Sequence, residues 1–232
     1  MITRMTRKIA VIVAAGNGTR MGSATPKQYL PLLGRPVLWH SVAAFQKAFD
    51  DIEILVVVSS SYLTTAEEIR SSAPVPGNIK LVIGGETRFE SVRKGLDEIT
   101  EKNAIVFVHD GVRCLVSPAL IHRCFEKAME TGNAVPAVRP VDSVRVETLD
   151  GNRRIERDAI RLIQTPQTFT CEIIKAAFQR SFQESFTDEA TVVEESGIKI
   201  NLIEGDMYNI KITTPTDLVI AEGLLSSKES LL

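Results

Sequence analysis

Five predominantly apolar runs, at positions 9–14, 52–58, 79–83, 104–108 and 134–138, constrain this chain more than any other feature. Their near-continuous β-branched character is the pattern of strands buried on both faces, rather than the alternation of a half-exposed strand. Segments of helical length, 36–48, 63–71, 87–99 and 117–130, lie between them. Strand and helix in alternation imply a mainly parallel sheet with helices over both faces. Ligands in such sheets gather beyond the carboxyl ends of the strands. Those ends here read AAGNG, SSS, GGETR and HDGVR, all polar or glycine-rich, so one edge is expected to carry a binding site.

The rhythm changes after Pro140. The stretch PVDSVRVETLDGNRRIERDAIRLIQTPQTF alternates apolar and polar residues, and the pair Asp150, Gly151 is a hairpin turn signal. A β-arm at about 139–165, projecting between two parts of the α/β core, is the economical reading. Such arms serve subunit pairing, so a homodimer is expected. The tail returns to α/β character, with helices over 171–182 and 188–196 and a strand over 199–203. Pro215 then suits the first turn of a last helix capped by Thr214. With no repeat and no flexible linker, residues 1–232 are expected to form one domain. The fold class is α/β: a single Rossmann-like, mainly parallel twisted sheet with helices on both faces and a projecting β-arm.

Composition narrows the function classes. The chain is 44% hydrophobic and 24% charged, ordinary for a soluble protein, and its net charge is −2. It lacks the basic excess of a nucleic-acid or membrane-surface binder, so counter-charges for an anionic ligand must be gathered locally. Cys114, Cys124 and Cys171 are widely spaced without a CxxC pair, which gives neither a disulfide framework nor a zinc signature. They read as indifferent thiols in a reducing cytoplasm. The N-terminal apolar run, about seven residues, is too short for a membrane span and poor for a signal peptide. It reads as the first strand of a cytosolic protein.

That strand enters VAAGNGTRMGSATPKQYLP. The dinucleotide fingerprint G-x-G-x-x-G fails, because Met21 follows Gly16 and Gly18 where a third glycine is needed. The P-loop fails too, since no glycine–lysine pair occurs and Lys27 follows Pro26. What remains is a loop with many free backbone N–H groups and two cations, Arg20 and Lys27. Glycines let main chain approach a triphosphate, a guanidinium forks onto phosphate oxygens and an ammonium acts as a point charge. The plainer alternative is a tight turn with two solvated cations.

The stretch AAGNGTRMG…PKQYLPLLGRPVLWHS resembles the start of nucleotidyltransferases that join a sugar phosphate to a nucleoside triphosphate. Its Lys-Gln form is similar to the 2-C-methyl-D-erythritol 4-phosphate cytidylyltransferases of isoprenoid synthesis. GGETRFESVRKGL, VHDGVR, RLIQTPQTF and FTDEATVVEESG…LIEGDMYNIKITTPTDL fit in order, so the resemblance spans nearly the whole chain. It implies that Ala14, Ala15, Gly16, Gly85, Glu86 and Ser91, with Gly111, hold the cytidine part of CTP. Arg20 and Lys27 would grip the triphosphate. Asp110, Arg113, Ser143 and Thr187 would surround the methylerythritol phosphate, with Arg157 and Lys211 positioning its phosphate. Mg²⁺ is the implied metal, with Asp110 its candidate ligand.

The implied nucleophile is a phosphate oxygen, already anionic, so no general base is needed. Cations therefore dominate the candidates in place of a His–carboxylate pair. His109 reads as a structural hydrogen-bonder, and Thr165 and Gln167 as residues shaping the return from the arm. Asp110 is either a turn cap or a substrate contact, and Arg88 either a solvated helix charge or a support for the nucleotide loop. Arg157 is assigned by the resemblance alone. The chain departs from the family where HDAARP becomes HDGVRC, where Ser143 replaces threonine and where Glu86 replaces aspartate. Two rivals are a ribitol-5-phosphate cytidylyltransferase and a non-catalytic nucleotide-binding regulatory domain. Retention of Arg20, Lys27, Arg157 and Lys211 together argues against the second.

Overall fold

The computed structural model describes residues 6–16 and 25–229. Its first elements are β1 (Arg7–Ala14), β2 (Pro31–Leu32), β3 (Arg35–Pro36), α1 (Val37–Ala48), β4 (Glu53–Val58), α2 (Leu63–Ser72) and β5 (Ile79–Ile83). Next come α3 (Arg88–Asp97), β6 (Ala104–Asp110), α4 (Pro118–Thr131), β7 (Asn133–Val138), β8 (Arg145–Thr148) and β9 (Gly151–Arg154). The last are β10 (Leu162–Ile163), β11 (Gln167–Thr170), α5 (Cys171–Ala177), α6 (Glu189–Glu194), β12 (Leu202–Glu204) and α7 (Pro215–Glu229).

The main sheet runs β10–β7–β11–β6–β1–β4–β5, with β12 on β7. β1 lies parallel to both β4 and β6, β4 to β5, and β7 to β12. The order reverses at the β1–β6 boundary, the place where open α/β sheets form a crevice. β1 shows why its sequence has no polar alternation. Ala10, Ile12 and Ala14 enter the core beneath α1, α2 and α4, while Ile9 and Val11 enter the core beneath α3, α5 and α6. A third, smaller cluster joins Leu32, Val37, Val112, Leu115 and Ile212 to Ala221 of α7.

The return from the arm does more than the sequence suggests. β10 and β11 run antiparallel to β7, and β11 also pairs with β6, so this segment is inserted into the middle of the sheet. Ile163 faces Ala137 and Thr168 faces Ala134, so the inserted strand uses two residues more than β7 over that distance. The resulting bulge lies beside the end of β6, a usual place for a device that re-aims side chains near a site.

The expected helices form, with local corrections. Thr87 and Glu90 make a reciprocal capping box on α3, and Ser117 caps α4 ahead of Pro118. Thr214 and Asp217 cap α7 in the same reciprocal way. α5 ends at Ala177, short of the expected 182. Phe178, Phe182 and Phe186 recur every four residues like a helical stripe. They gather instead around Phe89, with ring centroids at 4.8, 5.8 and 5.7 Å. The arm hairpin turns one residue earlier than its Asp-Gly signal: Thr148 pairs with Gly151, leaving Leu149 and Asp150 as the loop. Gly151 takes φ +130°, a conformation that favours glycine. β8 and β9 form a separate two-stranded sheet, and Leu149 at its tip is fully exposed.

Candidate active site

The carboxyl ends of β1 and β6 and the loop before α3 open into one cleft of about 300 Å³. The β1 wall is Ala14, Ala15 and Gly16, and Lys27 with Gln28 stands beside it on a single 3-10 turn, Lys27–Tyr29. The opposite wall is the segment from Gly85 to Arg88, with Ser91 one turn into α3. Asp110 and Lys211 close the third side.

The two small-residue walls touch through glycine. A Cβ on Gly84 would stand 2.7 Å from the Ala15 Cβ and 2.8 Å from Ser91 Oγ, so no larger residue fits there without moving a wall. The Gly85 N–H donates to Ser91 Oγ at 3.1 Å, and the Glu86 N–H to the Glu90 carboxylate at 2.9 Å. The loop is thus fixed by the first turn of the helix that follows it.

The third side is a charge cluster. Asp110 Oδ1 accepts from Arg88 at 3.1 and 3.3 Å, while Oδ2 faces Lys211 Nζ at 2.9 Å and Arg113 Nε at 3.8 Å. Burial alone would raise the Asp110 pKa. The nearby Arg88 and Lys211 cations outweigh it and hold this carboxyl well below the usual carboxylate range. Arg88 also forks onto Glu189, with its second contact at 3.1 Å. Glu189 is fully buried, and burial raises its pKa against the pull of Arg88. Lys211 reaches the cleft because the neighbouring Ile212 is buried in the third core cluster.

Behind this side, Thr165 Oγ1 accepts the Asp110 N–H at 3.1 Å, so its own proton goes to His109 Nδ1 at 3.0 Å. His109 Nε2 then donates to the Arg113 carbonyl at 3.2 Å. Arg113 donates onward to the carbonyl of the buried Asn209 at 2.7 Å. His109 is therefore a hydrogen-bonding strut. Thr165 and Gln167 are structural as well: the Gln167 amide joins Asp188 and the Ala190 N–H at the start of α6.

Of the residues singled out in the sequence, Ala14, Ala15, Gly16, Lys27, Gly85, Glu86, Ser91, Asp110 and Lys211 line the cleft together. Arg20 lies outside the described residues. Gly111 sits behind the wall, donating to the Val13 carbonyl and accepting from Ser41. Arg113 supports Asp110 from behind. Thr187 is exposed two residues before Glu189, and Ser143 and Arg157 are exposed on the arm side, outside the cleft lining. Arg157 donates to the Val141 carbonyl at 2.8 Å. Sequence reasoning left Arg88 undecided and passed over Gln28 and Glu189; the partner of Glu189 lies 101 residues away, a pairing no local motif announces.

A family model for 2-C-methyl-D-erythritol 4-phosphate cytidylyltransferase, IspD, matches residues 8–227. The chain belongs to this cytidylyltransferase family. The cytidylyltransferase of Bacteroides fragilis is 39% identical over 218 residues, covering 94% of this chain and 99% of that protein. That of Bacteroides thetaiotaomicron is 40% identical, covering 94% and 100%. Among solved structures, the 4-diphosphocytidyl-2C-methyl-D-erythritol synthase of Anaerococcus prevotii superposes with a TM-score of 0.81 at 27% identity, covering 95% of this chain and 99% of that one. The Thermus thermophilus cytidylyltransferase gives 0.73 at 31%, covering 93% and 98%. The span matched, residues 8–227, contains every segment that lines the cleft.

Proposed function

We propose that this member of the cytidylyltransferase family joins CTP to 2-C-methyl-D-erythritol 4-phosphate, giving 4-CDP-2-C-methyl-D-erythritol and pyrophosphate. The observation that carries the reading is a single cleft in which small-residue walls meet the cations Lys27 and Lys211. Ala14, Ala15, Gly16, Gly85, Glu86 and Ser91 hold the cytidine, with Gly111 shaping the wall from behind. Arg20 and Lys27 take the triphosphate.

An oxygen of the sugar phosphate attacks the α-phosphorus in line. A new P–O bond forms, the bond to the β-phosphate breaks, and pyrophosphate leaves with the electron pair. The nucleophile is anionic at neutral pH, so the buried His109 need not act as a base. The barrier is repulsion between polyanions, and fixed cations offset it where charge develops. Asp110 holds the Lys211 ammonium in place at 2.9 Å, so it need not be gathered from solution during the reaction. Arg113 and Thr187 complete the sugar-phosphate side.

Mg²⁺ accompanies the triphosphate, whose charge it shares. Among the described residues no group of three or more His, Cys, Asp or Glu side chains could hold a metal. Both Asp110 oxygens already face cations, so Asp110 does not fit as a metal ligand.

The whole chain, 1–232, acts as one nucleotidyltransferase domain whose arm, about 139–165, pairs two copies. Ser143 and Arg157 lie on the arm side outside the cleft lining. Their roles are kept if the arm of a second copy carries them to the cleft. A reducing cytoplasm suits the enzyme's three free cysteines; separately, no described helix is long and apolar enough to cross a membrane. Pyrophosphate release from CTP, with methylerythritol phosphate or ribitol phosphate supplied separately and with or without Mg²⁺, tests the reading. Turnover with the first sugar and Mg²⁺ is expected. Preference for ribitol phosphate, or silence with both, would overturn it; the relatives named above carry the name of a methylerythritol phosphate cytidylyltransferase.

A further inference from the structure

Gln28 directly follows the cleft lysine and is only 3% exposed. Its side-chain amide nitrogen donates to two main-chain carbonyls, Ala14 at 2.8 Å and Gly16 at 2.7 Å, passing over Ala15 between them. Resting on the reading above, we propose that Gln28 is a positioning residue that locks the Lys27 turn to the β1 wall at one fixed separation.

The turn is three residues long and has no side-chain cap; Tyr29 N–H donates to Pro26 and Leu30 N–H to Lys27, and the Leu30 carbonyl accepts from Val37 at the start of α1. Tyr29 stacks on Tyr62 with centroids 4.6 Å apart, which anchors the turn on one side. Gln28 anchors it to β1 on the other. A primary amide has two N–H donors on one nitrogen, and both are used here. Neither a carboxylate nor a thioether of the same length can do this. The two captured carbonyls are also the negative ends of peptide dipoles beside a polyanion site. Engaged with Gln28, they are held by a donor instead of facing an incoming phosphate.

The molecule supplies its own control. Gln46, 7% exposed on α1 and outside the cleft lining, makes a comparable pair of bonds to the main chain of Val75, at 2.7 and 3.2 Å. The test compares Gln28→Met with Gln46→Met, adding Gln28→Glu and Gln28→Asn. Steady-state kinetics, urea unfolding and amide hydrogen exchange at residues 14–16 are read for each. Both Met variants should lose similar stability. Only Gln28→Met should lose about ten- to a hundred-fold in kcat/KM for CTP, the equivalent of two hydrogen bonds. Its KM for the sugar phosphate should stay close to wild type, and exchange at residues 14–16 should rise. Gln28→Glu should fall at least as far, and Gln28→Asn should land between.

Equal kinetic losses in the two Met variants, or unchanged exchange in Gln28→Met, would overturn the proposal. So would a Gln28→Met chain that fails to fold while Gln46→Met folds, because Gln28 would then hold the fold and not the site. If the wild-type chain makes no pyrophosphate from CTP, the functional reading fails by itself. The exchange comparison still decides what Gln28 holds.

Discussion

His109 is a buried base with no route to a proton, and acid should expose that. It is fully buried at the end of β6, with Thr165 on Nδ1, the Arg113 carbonyl on Nε2 and the Phe45 ring edge-on at 5.1 Å. Burial, with the Arg113 charge adding to it, pushes its pKa from 6.5 down to about 3. In the unfolded chain the same imidazole takes up a proton below about 6.5. Between those values the unfolded state binds more protons, so stability falls as pH falls through the window. At about pH 5 the unfolded ring is about 1.5 units below its pKa while the folded ring is still neutral, which removes ~2 kcal/mol relative to neutral pH. Urea unfolding of wild type and His109→Gln, at about pH 7.5 and about pH 5, isolates this contribution. His40, His122 and the carboxylates are common to both chains and cancel in the difference. The wild-type loss should exceed the variant's by ~2 kcal/mol. A variant that loses as much stability as wild type over that range would refute the reasoning.

Three more outcomes follow from the same geometry. Glu189→Gln takes a carboxylate from Arg88 but leaves it Asp110 and a partly exposed position, so urea unfolding should show a loss of about 2–4 kcal/mol. Lys211→Ala should lower kcat with the sugar phosphate by about a hundred- to a thousand-fold while the KM for CTP moves by no more than a few-fold; equal losses on both sides would contradict the division of the cleft. If the arm of one copy serves the cleft of another, mixing inactive Arg157→Ala and Lys211→Ala proteins and letting subunits exchange should restore about a quarter of wild-type activity, since half the dimers then carry one intact site of two. No recovery after verified exchange would remove the arm from the active site.

The parallel half of the fold was readable because β1, β4 and β6 send side chains into two cores and so admit no polar alternation. The cleft's main-chain walls were readable for a related reason: glycine marks close approach, as at Gly84, where a Cβ would strike Ala15. What stayed hidden depends on partners far along the chain. The strand of Leu162–Ile163 and Gln167–Thr170 is short and bulged, so its sequence reads as the end of the arm and the return from it; only the neighbours β6 and β7 make it a central strand. The phenylalanines after Ala177 mimic helical spacing because all three pack on one ring, Phe89. Glu189 looks like an ordinary acid in the first turn of a helix until Arg88 is placed beside it.

That pair explains why a site for two polyanions contains carboxylates at all. Arg88, Arg113 and Lys211 converge on Asp110, and without acids between them they would repel one another and point into solvent. Asp110 draws them together but has only two oxygens to share among three cations. Glu189 relieves that competition by taking one fork of Arg88, which leaves the second Asp110 oxygen to Lys211. The cluster of three cations and two carboxylates keeps one net positive charge, held in fixed directions, before Lys27 is added. Attraction for phosphate is reduced relative to three bare cations, and the cations are already in position when the phosphate arrives. Arg88 also lies in the first turn of α3, next to the loop that forms the opposite wall. Any shift of that loop is therefore felt at Asp110, and through it at Lys211. The wall before α3 and the wall of Asp110 and Lys211 share one guanidinium, so the separation between them is set by an ion pair and not by loop length.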